Sequence, residues 1–157
     1  KYGVRYACVK VSICDQKPVR YELAMSGTED LDEELDDDAY FGFGVDAGMG
    51  CIADIKTQEA FKTYWAKREE EDPGIDPFND LFDDLLEENA EANPKYQSEH
   101  GDWLNWTVPN TEYNLAIFAS GWGDGYYPVY FGYDASNKVC AIYVHFIDIE
   151  ASYRNQE

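Results

Sequence analysis

Ser120-Gly-Trp-Gly-Asp-Gly-Tyr-Tyr-Pro-Val-Tyr130 is the stretch on which the reading of this chain turns. Three glycines and an Asp-Gly pair within six residues mark a sharp change of direction, because glycine reaches backbone angles closed to other residues. Aromatic and β-branched strand formers follow at once. Working outward, Trp103 to Val108, Tyr113 to Ser120, Tyr126 to Tyr133 and Lys138 to Asp148 are strand-like, with Asp134-Ala-Ser-Asn137 supplying another short turn. They predict an antiparallel meander. The expected fold class is α+β: a mainly antiparallel β-sheet core, sandwich-like or strongly curved, with two helices inserted in the middle of the chain.

Nearer the start, Tyr6 to Ser12 and Val19 to Met25 alternate with period two and read as a β-hairpin. Phe41-Gly-Phe-Gly-Val-Asp-Ala-Gly-Met-Gly-Cys-Ile-Ala-Asp54, with four glycines among aromatic and aliphatic residues, reads as a strand with close backbone approaches and a tight turn. Asp54 or Thr57 can cap a helix through Arg68, with Ala60, Phe61, Tyr64 and Trp65 on one face. Pro73 and Gly74 end it. Asp76-Pro77 starts a second helix to about Ala92, whose apolar stripe is Phe78, Leu81, Phe82, Leu85 and Leu86. Residues 1–157 are expected to form a single domain, carrying an acidic loop at 26–38 and an acidic helical insert at 69–101.

The formal net charge is -20 and is unevenly placed. Glu29 to Asp38 holds eight acids and Glu69 to Glu91 holds eleven, with no Lys or Arg in either run, so the rest of the chain is nearly neutral. Such a field repels nucleic acid and anionic lipid and attracts a basic protein partner. No apolar run approaches the ~20 residues that span a bilayer. The four cysteines, Cys8, Cys14, Cys51 and Cys140, lack C-x-x-C spacing and are expected to be buried free thiols. Free thiols favour a reducing compartment, and a cytoplasmic location is expected. Neither His100 nor His145 stands at a finger-like spacing from a cysteine, and the acidic run at 30–36 lacks the glycine of a calcium loop, so no metal and no cofactor is expected.

Three groups of residues could carry chemistry. The glycine block could offer backbone N–H groups to an anion, but it is neither G-x-G-x-x-G nor a P-loop. Trp122, Tyr126 and Tyr127 offer flat amphipathic surfaces of the kind enriched at recognition sites. Cys51 and His145, with Asp46 or Asp124, are the residue types of a nucleophilic triad whose geometry has to be shown.

In Gly44 to Asp54 and Ser120 to Tyr130 the chain resembles an uncharacterised, mainly bacterial family, the domain of unknown function 4241, whose pattern is G-V-D-A-G-x-G-C-x-x-D followed by S-G-W-G-D-G-x-Y-P-V-Y. The resemblance makes Asp46, Cys51, Asp124, Tyr127 and Asp134 signature positions, and Trp122 lies within the second motif. It carries over no catalytic residue. The strand, Gly-Trp-Gly-Asp-Gly turn and strand are also similar to the end of the Smi1/Knr4-type immunity proteins, which neutralise bacterial toxins.

The function expected is therefore that of a non-enzymatic binding protein, of the immunity-inhibitor kind, whose acidic segments dock on a basic partner such as a nuclease toxin. The alternative is a small hydrolase or metal-dependent enzyme with a pocket between the Gly44 to Cys51 block and the Trp122 turn. A DNA mimic would use the same charge but needs carboxylates at regular, phosphate-like spacing.

Overall fold

A computed structural model describes residues 5–30, 32 and 41–154. The chain divides into two compact units, Lys1–Met49 with Ser120–Glu157, and Gly50–Ala119. The first contains β1 (Cys8–Ser12), β2 (Arg20–Leu23), β3 (Phe43–Val45), β7 (Gly125–Tyr127), β8 (Val129–Tyr133), β9 (Val139–His145) and the short α3 (Ile149–Arg154). The second contains β4 (Met49–Ile52) from Gly50 onward, α1 (Ile55–Glu71), a π-helical turn (Phe78–Phe82), α2 (Asp83–Ala92), β5 (Trp103–Thr107) and β6 (Asn114–Ala119).

In the first unit β8 and β9 pair antiparallel from Val129 opposite Val144 to Tyr133 opposite Val139. Asp134 closes this hairpin. Its carboxylate accepts from Ser136 N at 2.8 Å and Lys138 N at 3.0 Å, and Asn137 takes the left-handed conformation that Asn tolerates better than most residues. Cys140, Ala141, Val144 and Phe146 are buried behind it.

The two N-terminal strands do not pair with each other, contrary to the hairpin expected from their alternation. The sheet order is β1-β9-β8-β2, so β1 and β2 occupy opposite edges. Three strand spacings of roughly 4.8 Å separate them, a gap of about 14 Å. Residues 13–19 can reach about 23 Å when extended and so span it. Ile13 N donates to Cys140 O at 2.9 Å and Val19 N to Tyr133 O at 2.8 Å, which anchors the crossing at both ends. Alternation showed which residues are strands, but not their neighbours.

The expected sandwich or single strongly curved sheet does not form either. The protein is α+β, with its strands in separate antiparallel sheets of four (β1-β9-β8-β2), two (β3-β7) and three (β4-β6-β5) strands. The meander fails where the chain cannot continue a ladder. Gly121 to Asp124 interrupts it after β6, and Pro128, with no N–H to donate, separates β7 from β8.

In the second unit Asp54 caps α1: its Oδ1 accepts from Thr57 N at 2.8 Å, and this hydrogen bond holds the carboxyl below its usual range. Phe61 stacks on Trp65 at 6.1 Å and on Phe82 at 6.0 Å, and Trp106 meets Phe82 edge-on at 5.3 Å. The second helix starts where Asp76-Pro77 predicted, but through a π turn, with Phe82 N donating to Pro77 O and Asp83 N to Phe78 O. Phe82, Leu86 and Ala90 are buried, and Phe78, Leu81 and Leu85 half-buried, as the stripe required. The final helix α3 was not anticipated.

Most of the acidic loop at 26–38 lies outside the described residues. At its described start, Glu29 accepts from the backbone and hydroxyl of Ser26 and from Gly27 N, which lowers its pKa to about 2.

Gly101 has φ +80, and a Cβ there would lie 2.4–2.8 Å from the backbone and Cβ of Leu86 in α2. Gly101→Ala is expected to destabilise by about 3 kcal/mol through left-handed strain and overpacking. Urea unfolding of the variant against the parent protein measures this.

Candidate functional site

The two motifs meet through their backbones in the first unit. β3 runs antiparallel to β7, with Phe43 opposite Tyr127 and Val45 opposite Gly125. The chain then turns through Ala47 (φ 58) and Gly48 (φ 69), and Asp46 bridges to Met49. Two successive positive φ values are those of a type I′ turn. Asp46 Oδ1 accepts from Ala47 N at 2.9 Å. From the other motif, Asp124 Oδ1 accepts from Gly48 N at 2.7 Å while Ser120 N donates to Gly48 O at 2.8 Å. Gly48 is thus held on both its polar groups by one loop.

That loop is tied to itself as well. Ser120 Oγ donates to Gly123 O and accepts from Gly123 N at 3.0 Å, and the hydroxyl of buried Tyr127 donates to the same Gly123 O at 2.9 Å. The Tyr127 ring packs edge-on against Phe146 at 5.0 Å. Gly121 sits so close to Tyr6 O and to the Phe146 and Ile147 side chains that a Cβ would lie 2.5–2.8 Å from them. The structure therefore brings together Asp46, Asp124 and Tyr127, with one oxygen of each carboxylate and the Tyr127 hydroxyl engaged in the two turns. Trp122 differs: it is 50% exposed, with the Arg5 guanidinium 5.1 Å from its ring centre while Arg5 Nη1 donates to Gly121 O at 2.7 Å. Tyr126 beside it is 68% exposed.

Asp134 stands apart in the β8–β9 turn, where its Oδ1 accepts both turn-backbone hydrogen bonds. Cys51 lies on β4 in the second unit. Partial dehydration of its sulfur pushes the thiol pKa up although the residue retains exposed surface, which is the opposite of what a nucleophilic thiolate needs. All four cysteines are free thiols, but only Cys140 is buried, where burial raises its pKa. Cys8, Cys14 and Cys51 are exposed, because each of their strands or turns has a solvent side that apolar flanking residues did not reveal. Among the described residues no three His, Cys, Asp or Glu side chains group as metal ligands.

A surface missed in the sequence lies on one face of the four-stranded sheet. Cys8, Tyr21, Tyr130, Tyr143 and His145 line a shallow hollow of about 390 Å³. Tyr21 meets Tyr143 edge-on at 5.5 Å, and Lys10 Nζ lies 5.7 Å from the centre of the Tyr143 ring. The pairings Cys8 with His145 and Tyr130 with Tyr143 put these groups on one face. The available signal was the period-two spacing of Tyr143 and His145, which becomes informative only once the partners are known.

The fold and its interlocked turns define a two-unit α+β protein whose motif carboxylates Asp46 and Asp124 each accept from a turn amide. It belongs to the family described as "Protein of unknown function (DUF4241)", whose model matches residues 1–144. No curated protein and no solved structure matches the chain. No helix among the described residues is long and apolar enough to cross a membrane.

If Asp124 serves Gly48, Asp124→Asn, which keeps an acceptor oxygen, should unfold close to the parent protein, and Asp124→Ala should lose about 1 kcal/mol. Chemical denaturation separates the two. Thiol labelling should modify three cysteines in the folded protein and Cys140 only on unfolding. Because a raised pKa leaves less thiolate at a given pH, Cys51 should reach its full labelling rate at higher pH than an ordinary thiol.

Proposed function

We propose that this is a non-enzymatic binding protein that engages a basic protein partner through the acidic segment Glu69 to Glu91, in the manner of an immunity-type inhibitor. The observation that carries this reading is that all eleven carboxylates of the segment are exposed and that it contains no Lys or Arg. The apolar stripe faces inward and the acids outward, so the charge is mounted on packed helices.

The position of the charge supports a role beyond solubility. Asp83, Asp84, Glu87, Glu88 and Glu91 place like charges four residues apart along α2, each such pair costing about 0.2–0.5 kcal/mol. Glu88 and Glu91 stand toward the C-terminal end, where the helix dipole also disfavours anions, and no basic residue occupies the last turn. A partner rich in Lys and Arg would relieve this repulsion, and its approach would be accelerated and made salt-dependent.

Neutralising Glu88 and Glu91 to Gln should raise stability by about 0.5–1 kcal/mol and at the same time weaken binding. The binding test is a pull-down from the source cell with the parent protein and the variant in parallel, at low salt and then high salt. A basic protein retained by the parent at low salt, released by high salt and lost from the variant supports the proposal. Retention of the same protein by both, or of none by either, contradicts it.

A further inference from the structure

The second unit also contains an open cleft of about 670 Å³, formed by one face of α1 and the turn between β5 and β6. This is within the range of roughly 300–1,000 Å³ typical of small-molecule sites. On the helix side it is lined by Lys56, Glu59, Ala60, Tyr64 and Lys67, residues that recur at helical spacing on a single face. Val108, Pro109 and Tyr113 form the facing wall.

The polar groups of this cleft divide into two kinds. Thr63 Oγ1 donates to Glu59 O at 2.9 Å, Thr111 Oγ1 donates to Val108 O at 2.8 Å, and the Tyr64 hydroxyl accepts from Arg68 at 3.3 Å. These are already engaged with the protein. Among the described residues, neither the Lys56 nor the Lys67 ammonium forms a hydrogen bond or ion pair, though Lys56 attracts Asp54 electrostatically and its backbone N–H donates to that carboxylate. Eleven residues of helix put about 16 Å between their backbones, one ammonium group toward each end of the cleft. Two lysines against one glutamate make this lining net positive in a chain of formal charge -20.

We infer that this cleft is a binding site for an elongated small organic anion with a flat apolar body. The body lies between the Tyr64 and Tyr113 sides over Ala60 and Pro109, and the acidic groups meet Lys56 and Lys67. Glu59 lies within one turn of Lys56 and about 12 Å along the axis from Lys67, so it opposes an anionic group at the Lys56 end more than one at Lys67. This site is separate from the acidic surface that takes the basic partner, and neither proposal depends on the other.

The test is a titration with naphthalene disulfonate, followed by amide chemical shifts, with uncharged naphthalene dimethanol as the comparison. The expected result is saturable shifts at residues 56–67 and 108–113, with affinity reduced about tenfold in Lys56→Met/Lys67→Met and binding lost in Ala60→Trp, which places a ring where the ligand body would lie. The lysine positions are exposed, so that variant retains the fold, and its unperturbed spectrum elsewhere verifies this. Shifts centred on other residues, equal binding of the uncharged analogue, or unchanged affinity in the lysine variant would each overturn the inference.

Discussion

The pairing of β8 with β9 is the interaction on which the first unit depends. These are the two inner strands of its sheet, and β1 and β2 each have only one of them as a neighbour. The turn at Asp134 to Lys138 is short and self-bonded, so this hairpin can form locally. Everything else in the sheet is added across more than a hundred residues of sequence: β1 to β9, and β2 to β8. Such non-local pairing is slow to form and has no local turn to set its register. Cys140 and Val144, both buried on one face of β9, supply the pattern that sets it instead.

The same economy of polar groups explains the two family motifs. A glycine-rich turn at the surface has backbone N–H and C=O groups to satisfy, and this protein satisfies those of one turn with the side chains and backbone of the other. Asp124 and Ser120 hold Gly48, and Ser120 and Tyr127 hold Gly123. Asp46 and Asp124 each commit one carboxylate oxygen to a turn amide in this way. Recognition is better sought where chemistry is presented to solvent: at the acidic helical segment, on the tyrosine face of the sheet, and at Trp122 with Tyr126.

Local structure was largely legible in the sequence. Asp54 at the start of α1, Asp76-Pro77 before the π turn and α2, and the apolar stripe ending at Leu86 are short-range signals, and the structure follows them. The sheets were misread because strand partners are long-range. Nothing in Tyr6 to Ser12 indicates that it pairs beside His145 and not with Val19 to Met25. The candidate residues were legible as a motif, whereas their roles were not: Asp124 reads equally as a ligand, a catalytic acid or a clasp until the amide it accepts from is known. The single burial expected for all four cysteines failed for a related reason, since apolar flanks do not tell which face of a strand is covered.

Hydrogen exchange at the Gly48 and Gly123 amides tests most directly whether the signature residues are structural. Both belong to surface turns, where an amide waiting for a ligand exchanges freely. With Asp124 and Ser120 as their permanent acceptors, both should be protected in the protein alone, and Gly48 should lose its protection in Asp124→Ala while the β8–β9 amides keep theirs. Fast exchange at both amides in the parent protein would contradict the account and return the two motifs to the status of an open site.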